Sequence, residues 1–333
     1  MERFRRGRPP GIAVRLAILG IVLAALARPA AAQLSEPLDI RNLNPLVAIF
    51  GLPAWDTVST GSRFGATLDV ANHYRLSQRV GELMVLDGET VRTTFSYTHG
   101  FANGWSVGAE LPYFNISGGV LDDLIDGWHS AFHLPDGGRN NRPEGALLFV
   151  LGDQDGRFFR LSEPQSGIGD AQIKIARTLG PDDGFVVQAA VKLATGDESM
   201  LAGSGSTDYS LTLLHAKSLP ARRRAAGYYW GIGLIRAGEP DLIEFHSEQW
   251  VYTAILGGSW QPWRRFGLKV QLDYHSPFYD SPLEEIGEDA YQATFGAWMQ
   301  RNERSSLEFA LVEDLEVSTA PDVVIQVAAH WQW

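Results

Sequence analysis

The sequence predicts an all-β fold, a transmembrane antiparallel up-and-down β-barrel of about twelve strands with one short amphipathic helix in a long extracellular loop. Three observations predict it. Long segments alternate apolar and polar residues, the connections between them alternate between long and short, and the last alternating segment runs to the final residue. A polar interior and an apolar exterior need a period of two, and only a closed barrel satisfies every backbone group of a sheet that crosses a membrane.

Composition narrows the classes first. The chain has 333 residues, of which 45% are hydrophobic and 20% charged, the balance of a folded protein. It contains no cysteine, which excludes disulfides, thiolate metal sites and cysteine nucleophiles. Residues 1–32 read as a cleaved signal peptide. Arg3, Arg5, Arg6 and Arg8 make a basic start, Ile12 to Ala27 is apolar apart from Arg15, and Ala30-Ala31-Ala32 offers the small residues of a cleavage site. Cleavage near Ala32 removes six arginines and one glutamate from a chain that is already acidic, with 28 basic and 39 acidic residues. Such a charge excludes nucleic acid as a partner. Residues 33–62 then read as an N-terminal periplasmic segment, and 63–333 as the barrel.

The strands follow in order at 63–74, 90–99, 105–113, 170–179, 185–193, 208–217, 227–236, 249–257, 266–274, 290–300, 305–313 and 322–333. In the first, Phe64, Ala66, Leu68 and Val70 share one face, and Arg63, Thr67, Asp69 and His73 the other. Phe266, Leu268, Val270 and Leu272 alternate with Lys269, Gln271 and Asp273 in the same way. Most segments have the length of a tilted membrane strand, longer than a typical soluble one. The connections 75–89, 114–169, 194–207, 237–248 and 275–289 are long, whereas 100–104, 180–184 and 301–304 are short. Outer-membrane barrels sort their loops this way, with long loops outside and short periplasmic turns. Ala102-Asn103-Gly104 and Pro181-Asp182-Asp183-Gly184 carry turn chemistry. In this register Tyr74, Tyr113, Tyr209, Trp250, Tyr252, Tyr274 and Tyr291 gather at the extracellular rim. Trp105, Tyr228, Trp230, Trp331 and Trp333 gather at the periplasmic one. Two aromatic girdles are what a membrane interface selects. Val323 to Trp333 alternate to the terminus, and Trp331 and Trp333 form a candidate signal for the barrel-assembly machinery.

Several motifs along the chain are Arg41-Asn42 with Pro45-Leu46, Leu86-Asp87-Gly88-Glu89-Thr90, Gly118 to Arg139, Gly167-Ile168-Gly169-Asp170, Lys192 to Asp197, and Gly203-Ser204-Gly205-Ser206. Together they resemble the family known as domain of unknown function 3187, a group of predicted Gram-negative outer-membrane proteins. Trp128 stands where the family pattern has phenylalanine, and Ala194 where it has proline. The Thr195-Gly196-Asp197 region is also similar to barrels associated with aromatic-hydrocarbon degradation. The resemblance implies the barrel fold and the outer-membrane location, and it implies no activity.

Strand parity nominates the lumen. Candidate lining residues are Arg63, Thr67, Asp69, His73, Arg92, Thr94, Ser96 and Glu110, followed by Gln172, Lys174, Gln188 and Lys192, then Lys269, Gln271, Asp273 and Glu308. Both signs of charge are present, which fits either a polar channel or a salt-bridged filling. In the longest loop, Leu121, Leu124, Ile125, Trp128 and Phe132 follow helical spacing, a candidate lid helix or one that packs on neighbouring loops. His275 and Ser276 are the nearest approach to a nucleophile and base, and no G-x-S-x-G or H-E-x-x-H motif occurs. Asp153, Asp155, Glu284, Glu285, Glu288 and Asp289 could hold a cation, or simply be solvated. The reading is a monomeric outer-membrane barrel without cofactor, acting as a passive, porin-like channel for a small solute. The alternatives are a lipid-modifying enzyme and a structural or surface barrel with a plugged lumen. Its expected partners are outer-membrane lipids, the export and barrel-assembly machinery, and a small solute.

Overall fold

The computed structural model describes residues 34–119, 145–153, 155–180, 184–219, 225–240, 247–315, 319–321 and 323–333. They form strands β1 (Gly61–Arg79), β2 (Glu82–Gly100), β3 (Trp105–Ser117), β4 (Leu148–Gly152), β5 (Phe158–Leu161), β6 (Gln165–Ile168), β7 (Gln172–Leu179) and β8 (Phe185–Lys192). The chain continues through β9 (Asp208–Leu219), β10 (Ala225–Arg236), β11 (Trp250–Trp263), β12 (Phe266–His275), β13 (Ala290–Asn302), β14 (Ser305–Asp314) and β15 (Val323–Gln332). A short helix α1 (Glu284–Gly287) precedes β13. Each barrel strand pairs antiparallel with its neighbours, and β3 pairs directly with β7. The cylinder closes because β1 pairs with β2 on one side and with β15 on the other, Leu68 facing both Thr93 and Val327. Twelve strands (β1, β2, β3 and β7 to β15) therefore make an antiparallel barrel, and β4, β5 and β6 are additions to it.

The two faces have opposite chemistry. Leu68, Leu111, Ile173, Leu211, Ile232, Leu256, Val270, Phe295 and Phe309 are exposed on the outside, while Asp69, Glu110, Lys174, Lys269 and Gln271 are buried on the inside. An apolar belt of this kind is stable only against lipid, because water gains nothing by covering it. No helix among the described residues is long and apolar enough to cross a membrane. Val270 lies near the middle of β12, is 54% exposed, and faces Gly258 and Phe295 on its neighbours. Val270→Arg should cost about 2–4 kcal/mol, the expense of a cation at the bilayer midplane. Urea titration of the barrel in lipid vesicles reads this cost directly. An unchanged midpoint would mean that this face does not meet lipid.

Three expectations change. The connection 75–89 is strand: β1 and β2 are 19 residues each and meet in a two-residue turn at Val80-Gly81, both with positive φ (45° and 87°). Such a turn matches strand twist and lets the ladder run without a break. Alternation fades there because the hairpin rises beyond the apolar belt, and Met84, Val85 and Leu86, paired edge to edge with β4, are buried in succession. The connection 114–169 likewise carries strands. β4 and β5 extend the sheet from β2, and β6 caps the end of β3. Finally, the segment set apart as periplasmic, 33–62, is not outside the barrel: residues 34–60 run inside it. The signal peptide and the lid helix (Leu121, Leu124, Ile125, Trp128, Phe132) lie outside the described residues.

Candidate functional site

The inserted segment is too irregular to be strand and too broken to be helix. Pro37, Pro45 and Pro53 each remove a backbone donor, and Asn42 and Asn44 bend the chain through their own side chains. Asn42 Oδ1 accepts from Asn44 N at 2.9 Å, and Asn44 Oδ1 from Leu46 N at 3.1 Å. Val47 N and Ala48 N then both donate to Asn44 O at 2.8 Å, closing a tight tip. The segment thus makes a hairpin, with one limb rising from the short-turn end of the barrel and the other returning to it.

Wall side chains supply the hydrogen bonds that the segment cannot make itself. On the rising limb, Ser259 Oγ donates to Leu34 O. The Gln271 amide accepts from Leu38 N at 2.9 Å and donates to Leu38 O at 3.0 Å, as a neighbouring strand would. Gln326 Nε2 donates to Asp39 O at 2.8 Å. Asn42 Nδ2 lies 2.9 Å from both His275 Nε2 and Thr319 O. On the returning limb, Asp208 accepts from Gly51 N at 2.7 Å, and Gln188 donates to Ala54 O at 2.8 Å. Space for the segment comes from wall glycines. A Cβ on Gly231 would stand 2.5 Å from the Trp55 ring, and one on Gly296 2.7 Å from Leu38.

Ion pairs stitch the same surfaces. Arg41 lies 2.8 Å from Asp39 and 2.9 Å from Glu110. Burial disfavours its charge, but those two carboxylates outweigh the penalty and hold its pKa above the ordinary arginine value. Glu110 also meets Lys174 at 2.5 Å, and Lys174 pairs with Asp56 of the segment. Arg63 pairs with Glu36. Lys269 meets Glu308 at 2.7 Å, and Arg92 lies 4.0 Å from Asp69, pairs that belong to the wall alone.

A second cluster assembles motifs that are far apart in sequence. Lys192 Nζ donates to Asp170 at 2.6 Å, Ser204 Oγ at 2.5 Å and Ser206 O at 3.0 Å, and lies 3.4 Å from Asp208. Asp170 accepts in addition from Thr195 N, Gly196 N and Ser204 N, at 3.0, 2.7 and 3.1 Å. The glycines are required by close approach: a Cβ on Gly203 would stand 2.5 Å from the Asp170 carboxylate, and one on Gly196 2.6 Å from Ala202 O. Asp208 ties this cluster to the hairpin through Gly51 and to the next loop through Gly238 N at 2.8 Å.

Above the polar layers the tip is apolar. Leu46, Val47, Ile49, Phe50 and Leu52 join Met84, Leu86, Phe149, Phe278 and Tyr279 in one buried cluster at the long-loop end. Phe50 stacks on Phe278 at 4.4 Å, and Tyr279 Oη donates to Leu46 O at 2.8 Å. Among the described residues, the cavities beside the hairpin are small. One cavity of about 50 Å³ faces Arg63, Lys174 and His330, and another of about 20 Å³ lies beside Arg41 and Lys192. Gaps of that size hold a few waters and no larger solute.

The nominated residues are distributed as follows. Thr67, Asp69, His73, Arg92, Thr94, Glu110, Gln172, Lys174, Gln188, Lys192, Lys269 and Gln271 are buried on the lumen side, and Arg63 and Asp273 are half-buried there. His73 Nε2 lies 3.0 Å from Thr90 Oγ1 on the neighbouring strand. His275 has both ring nitrogens engaged, Nε2 by Asn42 and Nδ1 by Ser276 O at 2.9 Å, and Ser276 Oγ accepts from Tyr252 N. These two side chains are therefore not arranged as base and nucleophile. Asp153 and Asp155 bind Arg157 at 2.5 and 3.1 Å. Trp331 packs against Phe64 at 5.8 Å, and Trp333 is 63% exposed. Sequence reasoning missed the groups the hairpin brings: Glu36, Asp39, Arg41 and Asp56. The available signal was apolar content, since Leu43, Leu46, Val47, Ile49, Phe50 and Trp55 are too many for a solvated tail.

Comparison with solved structures returns outer-membrane barrels. An outer-membrane channel of the COG4313 group from Pseudomonas putida F1 matches 88% of this chain and 100% of its own, at 12% identity and a TM-score of 0.54. The NanC porin matches over 82% of this chain and 100% of its own, at 9% identity and a TM-score of 0.43. The CymD monoaromatic hydrocarbon channel matches over 91% and 97%, at 11% identity and 0.39. The first likeness establishes the fold. No curated protein matches the sequence. Residues 13–333 match the family model described as protein of unknown function (DUF3187). That match spans nearly the whole chain, including the inserted hairpin and the motifs gathered around Lys192, and the protein belongs to the DUF3187 family.

Proposed function

We propose that the protein is an outer-membrane channel for a small solute, closed at rest by its own N-terminal hairpin. The observation that carries this reading is the nature of the filling. The wall presents charged and amide side chains and leaves glycine gaps, and what occupies the space is a separate segment of chain, bound largely through side-chain-to-backbone contacts. A wall that is polar without the hairpin is ready to conduct when the hairpin moves. In this reading residues 1–32 direct export, Trp331 and Trp333 address the barrel-assembly machinery, the long loops face outward, and the monomeric barrel sits among outer-membrane lipids. The likeness to a channel barrel supports the architecture.

The hairpin is not held evenly. Glu36–Arg63 at the periplasmic end keeps side-chain accessibilities of 11% and 26%, so water screens it in part and it holds the hairpin less firmly than a fully enclosed pair would. At the extracellular end each buried apolar side chain of the tip contributes about 1.5–3 kcal/mol. Both limbs bury apolar side chains too, Leu38 and Ile40 on one and Trp55 on the other, but the tip joins the largest buried cluster and is the gate in this reading, with opening rare without a trigger.

The absence of native cysteine permits a direct test. A Cβ on Gly51 stands 3.2 Å from the Asp208 Cβ, within a few tenths of an ångström of disulfide spacing. Gly51→Cys with Asp208→Cys should give a barrel that is silent in planar bilayers when oxidised and conducts in steps when reduced, with the single variants indifferent to reductant. Equal conductance in both redox states would sink the gating role. Silence in both states, from a folded heat-modifiable band, would overturn the channel and leave a structural barrel.

A further inference from the structure

The hairpin carries acids where the wall carries bases. Among the described residues, Arg63 and Lys174 are the wall cations whose ion pairs include a carboxylate of the hairpin, Glu36 for Arg63 and Asp56 for Lys174. Other wall cations take their carboxylates from the wall itself, as Lys269 does from Glu308 at 2.7 Å and Lys192 from Asp170 at 2.6 Å. Arg63 and Lys174 also border the same cavity, of about 50 Å³, on the periplasmic side. The two hairpin carboxylates are twenty positions apart in sequence and reach that cavity from opposite limbs.

We infer that Arg63 and Lys174 form a binding site for a small dicarboxylate in the open lumen, and that Glu36 and Asp56 occupy it when the hairpin is seated. The inference rests on the channel reading above. Withdrawal of the hairpin removes three carboxylates (Glu36, Asp39 and Asp56) and one guanidinium (Arg41), so the lumen becomes two charges more positive. Arg63 loses its ion-pair partner, and Lys174 keeps only Glu110 at 2.5 Å. Glu308 borders the same cavity, but Lys269 already holds it. A guanidinium with a free planar fork and, on the same cavity, an ammonium that has given up one of its two carboxylates suit two carboxylate groups on one small molecule. With the hairpin gone the lumen around these cations is more positive by two charges, so an entering dianion replaces the charge that the hairpin took away. Solute and hairpin then compete for one site, and the solute favours the open form in proportion to its preference for it.

The test uses the full chain in planar bilayers, with sodium succinate as the probe and sodium chloride at equal ionic strength as reference. The wild-type channel should open more often in succinate and show anion preference in its reversal potential. Substitutions on either side of each ion pair loosen the hairpin, so all should raise opening frequency. Glu36→Gln with Asp56→Asn should keep the anion preference and the succinate response. Arg63→Gln with Lys174→Gln should lose both, with the permeability ratio falling towards unity. Wall variants that open readily yet retain wild-type anion preference would overturn the site while leaving the channel intact. If no folded variant opens at all, the channel reading fails and the site fails with it.

Discussion

Phe50→Ala is expected to convert a rarely open barrel into one that is open much of the time. Its ring is buried between Phe278, stacked at 4.4 Å with 17° between planes, and Tyr279, edge-on at 5.6 Å. Truncating such a side chain costs about 3–5 kcal/mol, part transfer and part cavity. In the open form proposed above the tip leaves this cluster, so on that reading the ring contributes to the seated hairpin and little else. At about 1.4 kcal/mol per tenfold, the open-to-closed ratio should rise by up to about a hundred- to a thousandfold. Single-channel recording measures that ratio. Leu68→Ala on the lipid-facing side, 41% exposed, is the control that should leave gating unmoved. A Phe50→Ala channel as silent as the wild type would show that the tip is not the gate. Thermal unfolding recorded alongside separates loss of gating from loss of fold.

Lys192→Met is expected to be the most damaging single change in the wall. The ammonium is 2% accessible and answers two carboxylates, Asp170 and Asp208, which are 4% and 1% accessible. Removing one partner from a buried ionic cluster costs about 3–5 kcal/mol, because the charge left behind has no water to turn to. Here two carboxylates would be left with backbone N–H groups alone. The temperature at which the folded band disappears on heating should fall, and loop 193–207 should become susceptible to protease. Opening should also become more frequent, since Asp208 is the group that holds Gly51. Adding Asp170→Asn and Asp208→Asn to Lys192→Met should recover much of the lost stability, because a neutral cluster no longer carries unpaired charge. If the triple variant is no more stable than the single one, the damage is steric and the electrostatic account is wrong.

The barrel itself was readable from the sequence because its code is local and repeated. Each strand from Arg63 to Trp333 restates the same two-residue period, so an error in one boundary does not disturb the next. The errors fell where the period has no physical cause. Arg75 to Glu89 rises beyond the exposed apolar belt, so no lipid selects one alternating face there, although the ladder continues. β4 and β5 join Met84 to Leu86 in a buried patch, which reads as an unpatterned apolar run.

What the lumen contains was not readable in this way. Leu38 meets Gln271, Asn42 meets His275 and Gly51 meets Asp208 across separations of 233, 233 and 157 residues. No period links such pairs, because the hairpin uses single side chains to satisfy single backbone groups. The motifs Gly167–Asp170, Lys192–Asp197 and Gly203–Ser206 could be noted as unusual, but their shared purpose, a buried lysine between two carboxylates, exists only once the strands bring them together. The sequence by itself determined that this chain closes into a barrel, since alternation dictates two faces and two faces dictate closure. The tertiary structure alone decided that the barrel is filled by its own N-terminus, because a plug is specified by individual contacts between distant residues, which leave no repeating trace along the chain.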